Sequence, residues 1–438
     1  MKKVIIVGAG PAGVLLAHYL LRRSTQYKIE IYESRSDLQK VSLANSRTIP
    51  YGINERGLRA LRKIEGLEAA VKATCVENHG ITIYQKNKII ESVTKDKARF
   101  NTDRTSLLIS LLSQLKLSEK YKINQFKINF NCKCTSVDFK NKTLSFEKVR
   151  ETVSANQEEF TVDYDLLIGA DGARSIVRRH FLNTEFFEFQ QEYSNACYKT
   201  VFLLSNKEKI SSDLKPNYLQ VWRIEEGIAF AIIPQLEDKF IGLLFFPRKA
   251  NKVVNLSTKE EVMAFFHQNL PEVAPLISEE EAEAFLKRAI ATQLRIRCDR
   301  YHYGDSVLII GDAAHAVSSN LGQGCNNAFE DVLIFDSLLD KYSDEWATAV
   351  EQFTIRRRPD AYALWELDAN VIPTSKILFT EFILRESFAK IMNKLFPQFF
   401  VPPLWELLSA STVPYSDILK FYQGWVSKVK NSNRKFLN

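Results

Sequence analysis

The chain has 438 residues, 45% of them hydrophobic and 25% charged, a composition that fits a folded protein of two or three domains and excludes disordered or fibrous classes. Its net charge of +7 is small for this length, and the scattered basic residues argue against an extended nucleic-acid-binding face. We interpret the short basic cluster RRRP at residues 356–359 as solvated surface. The six cysteines have neither the CxxC spacing of a redox pair nor that of zinc ligands, so we expect no metal site and a cytoplasmic, reducing location.

The first thirty-two residues predict a strand, a tight loop, a helix and a second strand. The run MKKVIIVGAGPAGVLLAHYLL has the charged and apolar parts of a signal peptide, but its glycines break the apolar run in the middle. No small-residue cleavage site follows it. We therefore predict strands at residues 4–7 and 28–32 with a helix at 12–23 between them, and no transmembrane segment anywhere in the chain.

The middle of the chain predicts a second sheet, and its end predicts helices. Alternating segments near 81–93 and between about 185 and 247 are typical of a mixed or antiparallel sheet with one buried face, and a helical pattern covers 104 to about 117. From residue 330 onward the pattern is nearly all helical, with predicted interruptions at Pro359, Pro373, Pro397 and Pro402-Pro403.

The predicted fold class is α/β: a Rossmann-like dinucleotide-binding domain, an inserted mixed β-sheet domain for the substrate and a helical C-terminal cap. The first domain is discontinuous and takes residues 1–74, 98–180 and 296–350. The sheet domain takes 75–97 and 181–295, and the helical region takes 351–438.

The amino-terminal motif predicts dinucleotide binding. Gly8, Gly10 and Gly13 form a GxGxxG that follows a strand and opens a helix, where glycines permit a tight turn and the approach of a pyrophosphate to backbone N–H groups. Glu33 ends the second strand and can accept hydrogen bonds from ribose hydroxyls. The motif alone does not distinguish NAD from FAD.

Two later motifs complete a recognisable set. The stretch DLLIGADGARSIVRR places Asp171 after a strand and Ser175 and Arg178 at helical spacing. The stretch GDAAHAVSSNLGQGCNNAFED, residues 311–331, places Asp312 after a strand and a glycine loop before a helix. With the first motif, the chain resembles the single-component FAD-dependent aromatic hydroxylases typified by para-hydroxybenzoate hydroxylase, over almost its whole length.

The resemblance implies bound FAD and the positions that contact it. It places Asp312 at the ribityl chain and the GQG loop beside the isoalloxazine ring, and it gives the DG motif contacts with both FAD and NADPH. Arg35 stands near the ribose, Arg47 near the flavin or the nicotinamide, and Arg104 reaches FAD. The full set predicted to bind the cofactors is Gly8, Gly10, Ala12, Gly13, Glu33, Arg35, Arg47, Arg104, Cys134, Asp171, Asp312, Gly322, Gly324, Cys325 and Asn326.

Within that family the chain is most similar to kynurenine 3-monooxygenase and to the indole hydroxylases of violacein biosynthesis, on SRTIPYGINERGLRAL, FEFQQEYSNACYKT and FPQFFVPP. This similarity implies an aromatic substrate derived from tryptophan, kynurenine or indole, bound by Tyr415 and Asn370. Asn370 stands about one residue out of register. The stretch ENHGITIYQKNKIIES, where kynurenine hydroxylases carry an arginine for the substrate carboxylate, contains none.

The implied reaction is a hydroxylation. NADPH or NADH reduces FAD, dioxygen adds at flavin C4a, and the hydroperoxide transfers oxygen to the aromatic substrate. NAD(P)H binds transiently, since the chain has no second GxGxxG. No catalytic side chain is predicted, His315 is interpreted as structural, and the oligomeric state stays open. A flavin-dependent dehydrogenase or reductase of the same fold, or a non-catalytic flavin-fold binding protein, remain alternatives.

Two groups of residues have an unusual or undecided role. Relatives usually carry a proline at the position of Ser319 and a bulky apolar residue at that of Asn320, so the chain predicts a more polar or more mobile oxygen pocket. The aromatic residues of the inserted sheet either line an aromatic pocket or belong to the core: Tyr218, Trp222, Phe230, Phe245 and Phe246.

Overall fold

The structure is a computed structural model that describes residues 1–23, 27–37, 48–85, 88–117, 125–149, 158–203, 214–215, 217–248, 252–373 and 375–435. Its strands, in chain order, are β1 (Lys2–Val7), β2 (Tyr27–Tyr32), β3 (Pro50–Ile53), β4 (Val76–Gln85), β5 (Lys88–Asp103), β6 (Phe126–Asn129), β7 (Cys132–Asp138), β8 (Thr143–Lys148), β9 (Glu159–Asp163), β10 (Leu166–Gly169), β11 (Phe189–Leu203), β12 (Tyr218–Arg223), β13 (Ala229–Pro234), β14 (Phe240–Pro247), β15 (Ala291–Cys298), β16 (His302–Tyr303) and β17 (Val307–Ile309).

The α-helices lie between these strands and dominate the end of the chain. In chain order they are α1 (Pro11–Arg23), α2 (Glu55–Arg62), α3 (Leu67–Lys72), α4 (Arg104–Leu117), α5 (Ile176–Phe181), α6 (Lys259–Asn269), α7 (Glu279–Lys287), α8 (Asp312–His315), α9 (Gly324–Lys341), α10 (Trp346–Asn370), α11 (Lys376–Leu395), α12 (Leu404–Ala410) and α13 (Tyr415–Lys435).

The first sheet is the dinucleotide-binding one. Its strand order is β16-β17-β10-β1-β2-β6, and every pair except β16 with β17 is parallel. The central strand β1 has four buried apolar residues in succession, VIIV, because a parallel sheet carries helices on both faces. This arrangement brings the carboxyl ends of β1, β10 and β17 together, and each of the three predicted motifs follows one of those strands.

The second sheet is mixed, as predicted. Its strand order is β15-β11-β14-β13-β12-β4-β5-β3, with β12 and β4 parallel and the other pairs antiparallel. One face forms a core with α6 and α7 that contains Trp222, Phe230 and Phe246. The opposite face carries Phe245 and lines a cavity. Three of the five undecided aromatics are therefore core residues and one lines the cavity.

A small antiparallel sheet, β7-β8-β9, and a helical C-terminal region complete the fold. Helices α10 to α13 share a separate apolar cluster that includes Leu364, Leu408 and Trp425. The α/β fold class with an inserted mixed sheet and a helical cap is confirmed; the residue numbers of the domain boundaries stay a prediction. Within the described part of the chain, no helix is long and apolar enough to cross a membrane.

The prediction that Pro359 interrupts the helical pattern is wrong, because α10 continues through it. Proline deprives the carbonyl of Ile355 of its N–H donor, and Ile355, which is 55% exposed, lies on the solvent side of the helix, where a lost hydrogen bond is least unfavourable. The turns on either side are held by the buried residues Arg357 and Ala361. Tertiary packing thus offsets the unfavourable helix propensity of one residue.

Candidate active site

The amino-terminal glycine loop joins β1 to α1. Gly8 has φ +103°, and a Cβ there would lie 2.5 Å from the carbonyl oxygen of Ala170. A Cβ on Gly13 would lie 2.2 Å from the carbonyl oxygen of Gly8, whereas the nearest atom to a Cβ on Gly10 is 3.9 Å away. Gly8 and Gly13 are therefore required by the fold itself, and Gly10 leaves space beside the loop for a ligand to approach the backbone.

Glu33 follows β2 and faces this loop. Its Oε2 accepts a hydrogen bond from the N–H of Ala9 at 2.9 Å, and its Oε1 accepts from the backbone and Nε of Arg35, each at 2.9 Å. Burial opposes the negative charge, but the hydrogen bonds from Arg35 and Ala9 outweigh it and hold the pKa of Glu33 below its usual value. The carboxylate is thus ionised and positioned as a hydrogen-bond acceptor at the edge of the loop.

The third motif packs directly against the first. A Cβ on Gly311, which has φ +59°, would lie 3.3 Å from the Cβ of Ala12 in α1. Asp312 begins α8, and its side chain is open to solvent. The protein atoms that crowd around it still disfavour the charged carboxylate and raise its pKa. His315 and Arg104 act in the opposite direction by their charge. Asp312 thus follows a glycine that packs near α1, and a Cβ on Gly324 would lie 3.9 Å from its Oδ1.

A buried ionic cluster holds the residues on either side of Asp312. Asp331, in α9, accepts hydrogen bonds from the N–H of Gly311 at 2.8 Å and from Nε of Arg357 at 2.8 Å, and its Oδ2 lies 2.7 Å from Nε2 of His315. Arg357 also contacts Glu330 at 3.1 Å. His315 is thus a structural residue, as predicted.

Arg357 is the second arginine of the RRRP cluster. The interpretation of that cluster as solvated surface is wrong for this residue, because Arg357 is fully buried while Arg356 is exposed. On a helix, adjacent residues point about 100° apart, so one residue of a charged run can face the core. Nearby carboxylates outweigh the effect of burial and raise the pKa of Arg357.

The glycine loop before α9 is held by side chains from distant segments. Gly322 has φ +63°, and Gly324, Cys325 and Asn326 form the first turn of α9. The Asn326 side chain accepts from the N–H of Asn54 at 3.0 Å and donates to the carbonyl of Gly52 at 2.8 Å. The loop is thereby fixed to β3 and to the start of α2, some 270 residues earlier in the chain.

Gln323 connects the same loop to the C-terminal cap. Its Oε1 accepts from Nδ2 of Asn54 at 2.9 Å and from the hydroxyl of Tyr415 at 3.1 Å. Tyr415, predicted to bind substrate, is fully buried, and the guanidinium of Arg56 lies 4.0 Å from its ring centroid. In the described structure the phenol of Tyr415 supports the glycine loop. Tyr415 does not belong to the described residues that line the cavity beside the second sheet.

Arg104, Asp171 and Cys134 lie around the first sheet. Arg104 begins α4 with a buried Nε that has no hydrogen-bond partner among the described residues. Asp171 caps α5 through an oxygen that accepts from the N–H of Ile176 at 2.6 Å, and burial raises its pKa. Burial, together with the charge of Asp171, raises the pKa of the Cys134 thiol to about 12, so Cys134 is a neutral neighbour of the DG motif.

Arg47 lies outside the described residues, and its contact with the flavin or the nicotinamide stays a prediction. Asn370 ends α10 at the wall of the cavity, where its Nδ2 donates to the carboxylate of Glu366 at 3.1 Å. Its predicted contact with substrate stays a prediction.

A cavity of about 1820 Å³ lies between the open face of the second sheet, the loop before α9 and the C-terminal helices. Typical ligand pockets measure about 300–1,000 Å³, so this one has room for more than one small molecule. Its walls include Leu219, Val221, Leu243, Phe245 and Trp365. The lining is suited to an aromatic ring.

Ser319 and Asn320 lie at this cavity and are anchored by polar contacts. Gln293, in β15, accepts from both the N–H and the Oγ of Ser319, at 2.7 and 3.0 Å. Asp368, in α10, accepts from the N–H of Ser318 at 2.9 Å, and its carbonyl accepts from Asn320 at 3.2 Å. The loop is polar, as its sequence indicates, and its backbone is tied to two separate elements.

The structure adds two cavity residues that the sequence analysis missed. Arg99 and Asn101 both line the cavity from β5, on one face of the strand. Nε and Nη2 of Arg99 and Nδ2 of Asn101 are buried without a hydrogen-bond partner among the described residues. The sequence signal for this pair was the R-x-N spacing of two polar residues. It becomes informative only once the segment is known to be a strand, because alternate residues of a strand share one face.

Comparison with known proteins agrees with this arrangement. The family described as an FAD binding domain matches residues 1–365. The kynurenine 3-monooxygenase of Phaeosphaeria nodorum is 33% identical over 84% of this chain and 76% of its own length. That of Drosophila willistoni is 31% identical over 95% of this chain and 89% of its own. The fold is similar to that of 2-methyl-3-hydroxypyridine-5-carboxylic acid oxygenase, with a TM-score of 0.69, 16% identity and coverage of 93% and 96% of the two chains.

Proposed function

Because this chain belongs to the FAD binding domain family and is an FAD-dependent aromatic monooxygenase, we propose that its substrate is an aromatic amino acid of the kynurenine type. Arg99 and Asn101 bind the carboxylate of that substrate. Of the three functions that the sequence left open, the monooxygenase is the one retained. What we propose here is the identity of its substrate.

The residues described above fit FAD. The crowded backbone at Gly8 and Gly13 forms a loop that only glycine can form, and Gly10 leaves room beside it. The ionised Glu33 and the exposed Asp312 supply acceptors for hydroxyl groups, and Nε of Arg104 has no hydrogen-bond partner in the part of the chain that the structure describes. Glu33 would hold the ribose, Asp312 the ribityl chain, and the loop before α9 the flavin ring.

When held by Glu33, Asp312 and the loop before α9, FAD would supply the redox chemistry of the reaction, namely hydride acceptance from NADPH or NADH and the activation of dioxygen for oxygen transfer to the ring of the substrate. The protein orients the two reactants and excludes water from them. The apolar face of the second sheet flanks the substrate ring, while the amino-terminal end of α9 carries a partial positive charge that favours negative charge nearby.

The observation that carries the substrate proposal is the set of unpartnered N–H groups on β5. A buried donor without an acceptor is unfavourable by roughly 1–3 kcal/mol, and such groups are typical of binding sites. Burial lowers the pKa of Arg99 to about 10, so its guanidinium stays charged at neutral pH. An anion fits these donors, and a carboxylate is the anion that an aromatic amino acid offers.

The test compares L-kynurenine with kynuramine, its decarboxylated analogue, as substrates of the FAD-loaded enzyme. We expect wild type to oxidise NADPH faster with kynurenine and to form a product that has gained one oxygen. Arg99→Met should lower kcat/KM for kynurenine by roughly ten- to a hundredfold, as loss of a charged hydrogen bond does, and change kynuramine little.

Arg297→Met is the matched control, because Arg297 also lines the cavity but lies 4.6 Å from the ring centroid of Trp365. It should keep the preference for kynurenine. An equal loss for both substrates in Arg99→Met would contradict the carboxylate contact. Indole oxidised in preference to both amines would contradict the substrate class.

We also place the enzyme in the cytoplasm. All six cysteines are free thiols, five of them buried, which suits a reducing compartment. Fractionation of cells that express the protein at its native level tests this placement.

A further inference from the structure

Arg223 is a basic side chain at the end of a largely apolar sheet face. In β12 every second residue lines the cavity, namely Leu219, Val221 and Arg223, because successive side chains of a strand point to opposite faces. The neighbouring strands β4 and β13 contribute mostly apolar side chains to the same wall, such as Ile83 and Ala231. A guanidinium therefore stands beside a surface that otherwise suits an apolar ligand.

The guanidinium of Arg223 packs on an aromatic ring. Its central carbon lies 3.8 Å from the ring centroid of Phe379, which lines the cavity from α11. This side chain forms no hydrogen bond and no ion pair with any described residue. Stacking occupies the planar face of a guanidinium and leaves the N–H groups at its edge available to a carboxylate.

The acids of the adjacent turn do not neutralise this cation. Glu225 and Glu226 reach the cavity wall, but neither forms an ion pair with Arg223, and Glu226 lies 3.0 Å from Nζ of Lys252. Burial lowers the pKa of Arg223, and no charge in the described part of the chain offsets that effect. An anion that approached this half-buried cation would therefore stabilise it.

Lys376 places a second positive charge beside the same ring. It begins α11 three residues before Phe379, so the two side chains are neighbours on the helix, and both line the cavity. Lys376 is exposed and forms no ion pair with a described residue. We call Arg223, Lys376 and Phe379 the outer site.

The outer site and Arg99 lie toward opposite ends of the cavity. Arg223 is in register with Gln85 of β4, whereas Arg99 is in register with Asn78 of the same strand. At about 3.3 Å per residue, these two positions of β4 are roughly 20 Å apart. A single aromatic amino acid cannot span that distance, so a ligand at the outer site is a second molecule.

The end of the cavity at Arg223 is the more open one. The lining residues Glu225, Glu226 and Lys376 are exposed there, whereas Asn78 and Asn101 at the other end are buried. A ligand that enters through this opening meets the outer site before it reaches Arg99.

We propose that the outer site binds an aromatic carboxylate, as a second molecule in the same cavity. The carboxylate pairs with the free edge of Arg223, Lys376 adds a weaker attraction, and the aromatic ring lies on the apolar wall beside Val221 and Ile83. A bare phosphate would leave that wall without a partner. The inference does not depend on the identity of the substrate, since it stands on the surroundings of Arg223 alone.

The test is equilibrium dialysis of the FAD-loaded full-length protein with 2-aminobenzoate. We expect wild type to bind about two molecules per chain, and Arg223→Met should weaken one of the two at least about tenfold, as the loss of a charged hydrogen bond does. Lys376→Gln should weaken the same molecule only about twofold, because its charge is exposed. Neutral 2-aminobenzamide should bind wild type and Arg223→Met alike.

The matched control is Arg248→Met. Arg248 also lies over an aromatic ring, with its guanidinium carbon 5.5 Å from the ring centroid of Tyr193, but it does not belong to the described residues that line the cavity. This variant should bind 2-aminobenzoate as wild type does. Arg99→Met should lose only the other molecule, so a failure of the substrate contact proposed above and a failure of the outer site appear in different variants.

Three results would overturn the outer site. Wild type and Arg223→Met could bind 2-aminobenzoate equally, or Arg248→Met could lose as much binding as Arg223→Met. Inorganic phosphate could also bind the outer site more tightly than 2-aminobenzoate, which would assign the site to a phosphate ligand. Thermal melting and flavin absorbance verify that each variant is folded and holds FAD.

Discussion

The amino-terminal glycine loop and the glycine loop at residues 311–326 both lie at the proposed FAD site, but different parts of the chain hold them. The first loop depends on its own strand and helix, since Gly13 packs on Gly8 and Glu33 bonds to Ala9. The second depends on side chains far away in sequence, among them Arg357 and Asn54. The comparison teaches that two similar motifs can tolerate very different substitutions, because one is local and the other is built from long-range contacts.

The largest expected effect comes from the buried support of the second loop. Arg357→Leu leaves the fully buried carboxylate of Asp331 without its arginine and leaves Glu330 with Arg56 alone, so the free energy of unfolding should fall by about 3–5 kcal/mol. Urea denaturation measures this loss. Arg356→Leu, a change of the exposed neighbour, should shift it by less than about 0.5 kcal/mol. Equal denaturation midpoints for the two variants would refute the dependence on the buried cluster.

The next effect separates two glycines of the first loop. Gly13→Ala forces a Cβ against the backbone of Gly8 and should lower the stability of the FAD-free protein by about 1–3 kcal/mol. Gly10→Ala meets no close atom, so the FAD-free protein should melt as wild type does while FAD binds more weakly. Calorimetric melting and a flavin fluorescence titration provide the two measurements. A loss of stability in Gly10→Ala as large as in Gly13→Ala would show that Gly10 also serves the fold.

A smaller effect concerns pH and Asp312. The folded protein raises the pKa of this carboxyl, so the folded state binds a proton more readily than the unfolded chain. The contribution of Asp312 to the stability of the FAD-free protein should therefore decline as pH rises from the ordinary carboxyl value of about 4 through the raised folded pKa. Asp312→Asn should remove this contribution, so that the stability of the variant declines less over this pH range than that of wild type, and it should weaken FAD binding. Melting temperatures across this range test it, and identical profiles for the two proteins would contradict it.

The smallest effect is expected at Ser319. Ser319→Pro removes the backbone N–H that donates a hydrogen bond to Gln293. The ratio of product formed to NADPH consumed should change by about two- to tenfold, because this factor corresponds to the free energy of one hydrogen bond. Ser319→Ala keeps that N–H and should change the ratio less. Assays of product and hydrogen peroxide measure the ratio. Unchanged coupling in Ser319→Pro would show that the polar loop does not influence the oxygen chemistry.

Much of the fold was predictable because its signals are local. The apolar run and glycines of residues 4–13 define a strand, turn and helix within a few residues, and the helix at 104–117 was predicted at its observed bounds. The helix through Pro359 was missed, because its continuation depends on contacts of Arg357 with a different helix. Propensity describes a residue and its neighbours in sequence, whereas packing can override it.

The candidate site divides in the same way. The sequence by itself determined the α/β class, the family and the glycine loops at which FAD is proposed to bind, because glycine spacing and strand periodicity are properties of short segments. Only the tertiary structure decided that Arg357 is buried, that Tyr415 supports a loop, and that Arg99 and Asn101 line the cavity with donors to which no described residue offers an acceptor. The reason is physical: whether a polar group is buried, paired or free depends on the elements that pack against it, and these come from distant parts of the chain.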